Sequence, residues 1–186
     1  LVPAVENGIG PNAFRPGEVV ATRTGVSVEI DNTDAEGRMV LSDALAHACE
    51  AKPDLLLDFA TLTGAARIAL GPDLPVLYAN DEAVANAWLQ AGDAARDPLW
   101  RMPLWRPYLR YLTSGIADIA NGSSTPMAGS VTAALFLQRY VSAGQRWAHV
   151  DVYAWNDADR AGKPAGGEAQ GLRAAYAMLA ARYPAA

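Results

Sequence analysis

Two carboxylates and a guanidinium fall at alternate positions in Asn32-Thr33-Asp34-Ala35-Glu36-Gly37-Arg38, just ahead of an apolar periodic run. In extended or looped backbone, residues two apart project to the same side, so Asp34, Glu36 and Arg38 would converge on one small volume. Carboxylates that close repel each other unless a positive charge lies between them. A divalent cation is one solution, since Asp and Glu oxygens ligate zinc, manganese and magnesium. Arg38 could then hold an anionic reactant or a carbonate-like base beside the metal, which would make the site hydrolytic. The same residues also fit a structural pattern: Thr33 followed three residues later by Glu36 matches a capping box, each side chain satisfying an orphan N–H at a helix start. The two readings are compatible, because a capped helix end is a rigid mount for a site.

A second candidate segment is Thr61-Leu62-Thr63-Gly64-Ala65, small residues that follow the continuous apolar run Leu55 to Ala60. Such a run predicts a central strand covered on both faces. In open α/β sheets, ligands gather beyond the carboxyl ends of strands. The plainer reading is a strand-to-helix turn with a Thr cap. Other chemistries find less support. His47 and His149 lack metal-ligand spacing and read as hydrogen-bonded core or surface residues. Nothing places a histidine for a serine or cysteine triad, and no glycine-rich loop has phosphate-cradle spacing with a following lysine.

The elements that must position these residues alternate in type, which predicts an α/β domain with a mixed central sheet flanked by helices on both faces. A strand is expected at Leu1 to Val5, then a loop rich in Gly and Pro. A hairpin follows from Val19–Arg23 and Val26–Ile30, turning at Thr24-Gly25. Val40, Leu41, Ala44, Leu45, Ala48 and Cys49 recur at three and four, an amphipathic helix over about 37–51 stopped before Pro53. Further on, a short helix is expected through Leu70, a strand at Val76 to Ala79, and a helix capped by Asp81 through about Gln90. Trp100, Trp105, Tyr108 and Tyr111 form an aromatic cluster read as core packing or a covering loop. A helix over Ser130–Tyr140, a strand around His149 and Asp151, and a last helix over Glu168–Tyr183 complete the order.

Composition narrows the function. A chain of 186 residues, 51% apolar and 19% charged, is an ordinary globule able to bury a core, and one domain is expected. A net charge of −5 with scattered Arg and Lys argues against nucleic-acid binding. Cys49, the single cysteine, reads as a small buried hydrophobe suited to a reducing compartment. No apolar run approaches the roughly 20 residues of a membrane span. A cytoplasmic location without membrane contact is the expectation. The apolar opening Leu1-Val2-Pro3-Ala4-Val5, without an initiator Met, is what a fragment of a longer protein would show.

Asn32 to Arg38 followed by Met39-Val40-Leu41-Ser42-Asp43-Ala44-Leu45 resembles the signature of the leucyl (cytosol) aminopeptidase family of two-metal exopeptidases. Seven consecutive signature residues match. Glu6-Asn7, Ala13-Phe14-Arg15-Pro16-Gly17, Asp58-Phe59-Ala60-Thr61-Leu62-Thr63-Gly64-Ala65 and Trp147-Ala148-His149-Val150-Asp151 fall in the family's order, so the resemblance covers nearly the whole chain and weakens after Val152. It implies two divalent ions, zinc or manganese, with Asp34 and Glu36 as ligands. Arg38 would hold a bicarbonate acting as general base, the Leu62 amide would help grip that bicarbonate, and Thr61 and Gly64 would line the groove for the N-terminal side chain and the substrate backbone. It further implies peptide substrates and a homo-oligomer, a hexamer.

The remaining ligands, a lysine and two aspartates, and a second catalytic lysine are expected from motifs upstream of Leu1, so the chain alone would be inactive. Tyr153-Ala154-Trp155-Asn156 and Gly166-Gly167-Glu168-Ala169 depart from the family pattern where the pocket for the first side chain is closed, which puts a preference for leucine in question. Two alternatives stand beside the enzyme: a non-catalytic assembly or regulatory module that kept the fold, and a binding domain for a small acidic ligand.

Overall fold

The computed structural model describes residues 1–184. In chain order its elements are β1 (Val19–Ala21), β2 (Ser27–Glu29), α1 (Glu36–Glu50), β3 (Leu56–Ala60), α2 (Gly64–Leu70), β4 (Val76–Ala79), α3 (Glu82–Ala95), β5 (Trp100–Arg101), a 3-10 helix (Arg106–Leu112), β6 (Ile119–Ala120), α4 (Gly129–Gln138), β7 (Trp147–Asp151), β8 (Trp155–Asn156), β9 (Gly166–Gly167) and α5 (Leu172–Arg182). They divide into two compact units, Leu1–Leu56 with Leu104–Gln145, and Leu57–Pro103 with the described residues from Arg146 on.

In the first unit the hairpin forms as its alternation predicts, β1 pairing antiparallel with β2 from Val19 opposite Glu29 to Ala21 opposite Ser27. Strand β6 joins β2 in parallel, which makes the sheet mixed. Helix α1 follows, and its buried stripe is Met39, Leu41, Ser42, Leu45, Ala46 and Cys49, the three-and-four recurrence of an amphipathic helix. It ends where Lys52 takes a φ of 48° just before Pro53. Helix α1 packs on α4, a helix apolar nearly all round and buried accordingly, and the 3-10 helix covers α4 as well. Cys49 is buried. The strand expected at Leu1 to Val5 does not form: these residues are exposed and belong to no ladder, so their apolar composition has no neighbour to pair with.

The second unit is built on a four-stranded mixed sheet in the order β3-β7-β4-β5. Strands β4 and β7 are buried along their whole lengths and run antiparallel, Tyr78 opposite His149 and Val76 opposite Asp151, while β5 lies parallel to β4. Helix α3 is capped as read: the Asp81 carboxylate accepts from the Val84 amide at 2.9 Å. It runs on to Ala95, past the expected end near Gln90, carrying the buried Gly92 within it, where a side chain would meet the Asp97 carbonyl. Helices α3 and α5 pack together. Buried Asp97 accepts from the Gly171 and Ala174 amides at 3.0 and 3.1 Å, satisfying first-turn donors of α5 that have no partner within the helix. The aromatic segment is less buried than a core cluster would be, with Trp100 and Trp105 exposed. Among the described residues, no helix is long and apolar enough to cross a membrane.

Candidate functional site

The acidic segment lies in the first unit, between β2 and the first turn of α1. Asn121, buried just beyond β6, fixes it from below. Its Oδ1 accepts from the Asp31 and Asn32 amides, both at 2.9 Å, and its Nδ2 donates to the Asn32 carbonyl at 2.8 Å. Asn32 Oδ1 in turn accepts from the Asp34 amide at 2.9 Å. The capping box expected of Thr33 and Glu36 is absent: the cap position is Ala35, with no side-chain bond. Asn32 takes over the turn because its short amide reaches an N–H two residues on.

Asp34 and Glu36 do come together. Both carboxylates reach the Nδ2 of Asn7, Glu36 at 3.0 Å and Asp34 at 3.5 Å, so one amide lies between two anions. Asn7, Ile9, Phe14, Arg15, Thr33 and Asp34 border a cleft of about 370 Å³ in the same unit. Arg38 makes different contacts. Helical spacing replaces extended spacing after Glu36, and residues two apart on a helix do not share a face. The Arg38 guanidinium donates to the Asn121 carbonyl at 2.5 Å and lies 5.9 Å over the Phe136 ring. Among the described residues no group of three or more His, Cys, Asp or Glu gathers as a metal site, so the chain offers a carboxylate pair.

Thr61, Leu62 and Gly64 belong to the second unit, the first two in the turn between β3 and α2 and Gly64 at the start of α2. Thr63 caps α2, its hydroxyl accepting from the Ala66 amide at 3.1 Å. The turn is held by Asp151, which is almost fully buried and accepts from the Leu62 amide at 3.0 Å, the Thr63 amide at 3.1 Å and the Thr63 hydroxyl at 2.6 Å. The Leu62 N–H expected to grip an anion is thus already directed at a carboxylate.

Asp151 is one end of a buried polar row that sequence spacing alone did not assign. Trp147, His149 and Asp151 alternate along one face of β7. Asp58, on β3, accepts from Trp147 Nε1 at 2.7 Å and from His149 Nδ1 at 2.5 Å. The rings of Trp147 and Tyr78 each lie near-parallel to the His149 ring, with centroids 6.2 Å away. Burial works against a charge on His149, but the Asp58 carboxylate, with Asp151 behind it, raises its pKa above the ordinary 6.5. The readable signal was a charge inside each of two apolar runs: buried ions need partners, and the nearest answer to one was the other.

The first unit thus offers a carboxylate pair at a helix start and the second a small-residue turn held by a buried aspartate, and comparison with known proteins places the chain. Residues 1–176 match the model of the cytosol aminopeptidase family, catalytic domain. Probable cytosol aminopeptidases of Synechococcus sp. and Geobacter sulfurreducens are each 46% identical over 175 residues, 93% of this chain and 35% of theirs. The crystal structure of the cytosol aminopeptidase from Coxiella burnetii superposes with a TM-score of 0.93 at 56% identity, over 96% of this chain and 39% of that one. The bottromycin maturation enzyme BotP in complex with Mn superposes at 0.86 with 39% identity, over 92% of this chain and 39% of that one. The chain belongs to the cytosol aminopeptidase family and has the leucyl aminopeptidase fold, spanning about a third of the length of the curated relatives it matches.

Proposed function

We propose that the complete protein carrying this chain is a metal-dependent aminopeptidase that hydrolyses the N-terminal bond of peptides. The observation that carries the reading is the Asp34–Asn7–Glu36 arrangement, an amide donor lying where two carboxylates would otherwise repel. A donor in that place is a neutral substitute for a cation, and carboxylate oxygens suit manganese and also ligate zinc. The family match over 1–176 and a neighbour described in complex with Mn support the same choice.

Asp34 and Glu36 would hold divalent ions, two in the complete enzyme. Such ions lower the pKa of a bound water and polarise a carbonyl. Arg38, with its planar fork of donors, would orient a bicarbonate that takes the proton. By the same resemblance the Leu62 N–H would help grip that bicarbonate. Thr61 and Gly64 would border the groove for the N-terminal side chain. Two carboxylates are fewer ligands than a two-metal site needs, so the activity is proposed for the complete protein and weak metal binding for the chain alone. Assembly as a homo-oligomer, a hexamer by resemblance, and a cytoplasmic location belong to the same proposal.

The test is hydrolysis of leucine and methionine amides by the full-length protein with added manganese. Turnover that disappears in the double substitution Asp34→Ala with Glu36→Ala is the expected result. Hydrolysis undiminished in that variant would remove the reading.

A further inference from the structure

One cation of the second unit is used by nothing yet described. Arg67 projects from the last turn of the short helix α2 and is exposed. Arg101, Arg146, Arg160 and Arg173 of the same unit each pair with a carboxylate, but among the described residues none pairs with Arg67. The side chain is nevertheless directed. Its guanidinium lies 5.3 Å over the ring of Tyr153, and the Tyr153 hydroxyl donates to Asp157 at 3.2 Å, which fixes the ring. One guanidinium nitrogen lies only 3.5 Å from where a Cβ on Gly64 would sit, so the charge occupies the side-chain side of that glycine.

We propose that Arg67 is a specificity-determining residue, selecting peptides whose N-terminal side chain is acidic. The inference rests on the aminopeptidase reading and on Gly64 bordering the groove for that side chain. A long apolar side chain laid along Gly64 would strip water from a guanidinium with no anionic partner, which is unfavourable. A glutamate or aspartate side chain would instead supply the missing carboxylate, and a guanidinium binds a carboxylate through two parallel, charge-assisted bonds. Stacking on Tyr153 holds the fork ready and reduces the rotamer freedom lost on binding.

The experiment compares glutamyl and leucyl p-nitroanilides, in which the side chain is the only possible carboxylate, on the manganese-loaded full-length protein. The ratio of kcat/KM for glutamyl over leucyl substrate is expected to fall about tenfold or more in Arg67→Met, mostly through KM, with partial recovery in Arg67→Lys. Arg67→Glu should move the preference to a lysyl substrate. Competition by the free amino acids gives a second readout, glutamate losing potency against leucine in Arg67→Met. A ratio unmoved by Arg67→Met, with leucyl substrate still cleaved, overturns the role of Arg67 alone. Failure to cleave either substrate overturns the aminopeptidase reading and this inference with it.

Discussion

Replacing Asp151 by Asn tests whether the turn that carries Thr61, Leu62 and Gly64 is held by a buried charge. Asp151 is 1% exposed and takes three hydrogen bonds from the turn. A bond to an ionised acceptor contributes about 1.5–3 kcal/mol, against about 1 kcal/mol for a neutral one. Asparagine preserves the shape and one carbonyl oxygen for the two amides, but it removes the charge and presents an NH2 group to the Thr63 hydroxyl. Over three bonds the loss is roughly 2–4 kcal/mol. It falls on the local opening of the turn, which amide exchange reads directly. Hydrogen exchange on the full-length protein should therefore show the amides of Leu62 and Thr63 exchanging between about one and three orders of magnitude faster in Asp151→Asn, with little change in α1. Unchanged exchange at these amides would refute the view that Asp151 positions the turn.

His149 should titrate above the ordinary 6.5 by NMR, and Asp58→Asn should carry it below that value, because burial, the largest influence on it, would then act with less opposition. With the folded-state pKa raised, the Asp58–His149 pair contributes its full stability below pH 6.5 and loses it as pH rises through the folded value; a pH-stability slope that survives Asp58→Asn would contradict this. Gly122→Ala should cost about 1–3 kcal/mol and weaken manganese binding, since the new methyl would lie 2.8 Å from the Asp31 carboxylate and 3.2 Å from its Cβ, pushing on the strand end that leads to Asp34; unaltered stability and affinity would show that the segment yields freely.

Much of the framework was legible because local rules decide it. The three-and-four recurrence before Pro53 marked α1 and Asp81 marked the start of α3. The apolar run Leu55 to Ala60 marked β3, but as an edge strand with Phe59 exposed and not as a central strand covered on both faces, because among the described residues only β7 pairs with it. The misreadings share one cause, dependence on distant partners. Thr33 matched a capping box, yet Asn32, braced by Asn121 some ninety positions away, holds that turn instead. Leu1 to Val5 had strand composition but no neighbouring strand to pair with. Asn7 stands 27 residues from Asp34, in an irregular segment ahead of the β1–β2 hairpin, where no periodicity points to it; only its place in the resemblance did. Asp58 and His149 carried a signal in being polar within apolar runs, but which buried group answers which is settled by the pairing of β3 with β7.

The most direct measurement is calorimetric titration of the metal-free full-length protein with manganese, set beside Asp34→Ala, Glu36→Ala and the double substitution. Binding that weakens in each single variant and vanishes in the double, together with hydrolysis of leucine amide, is the expected result. Wild-type manganese affinity in the double variant would show that the carboxylates gathered on Asn7 are not the metal's ligands.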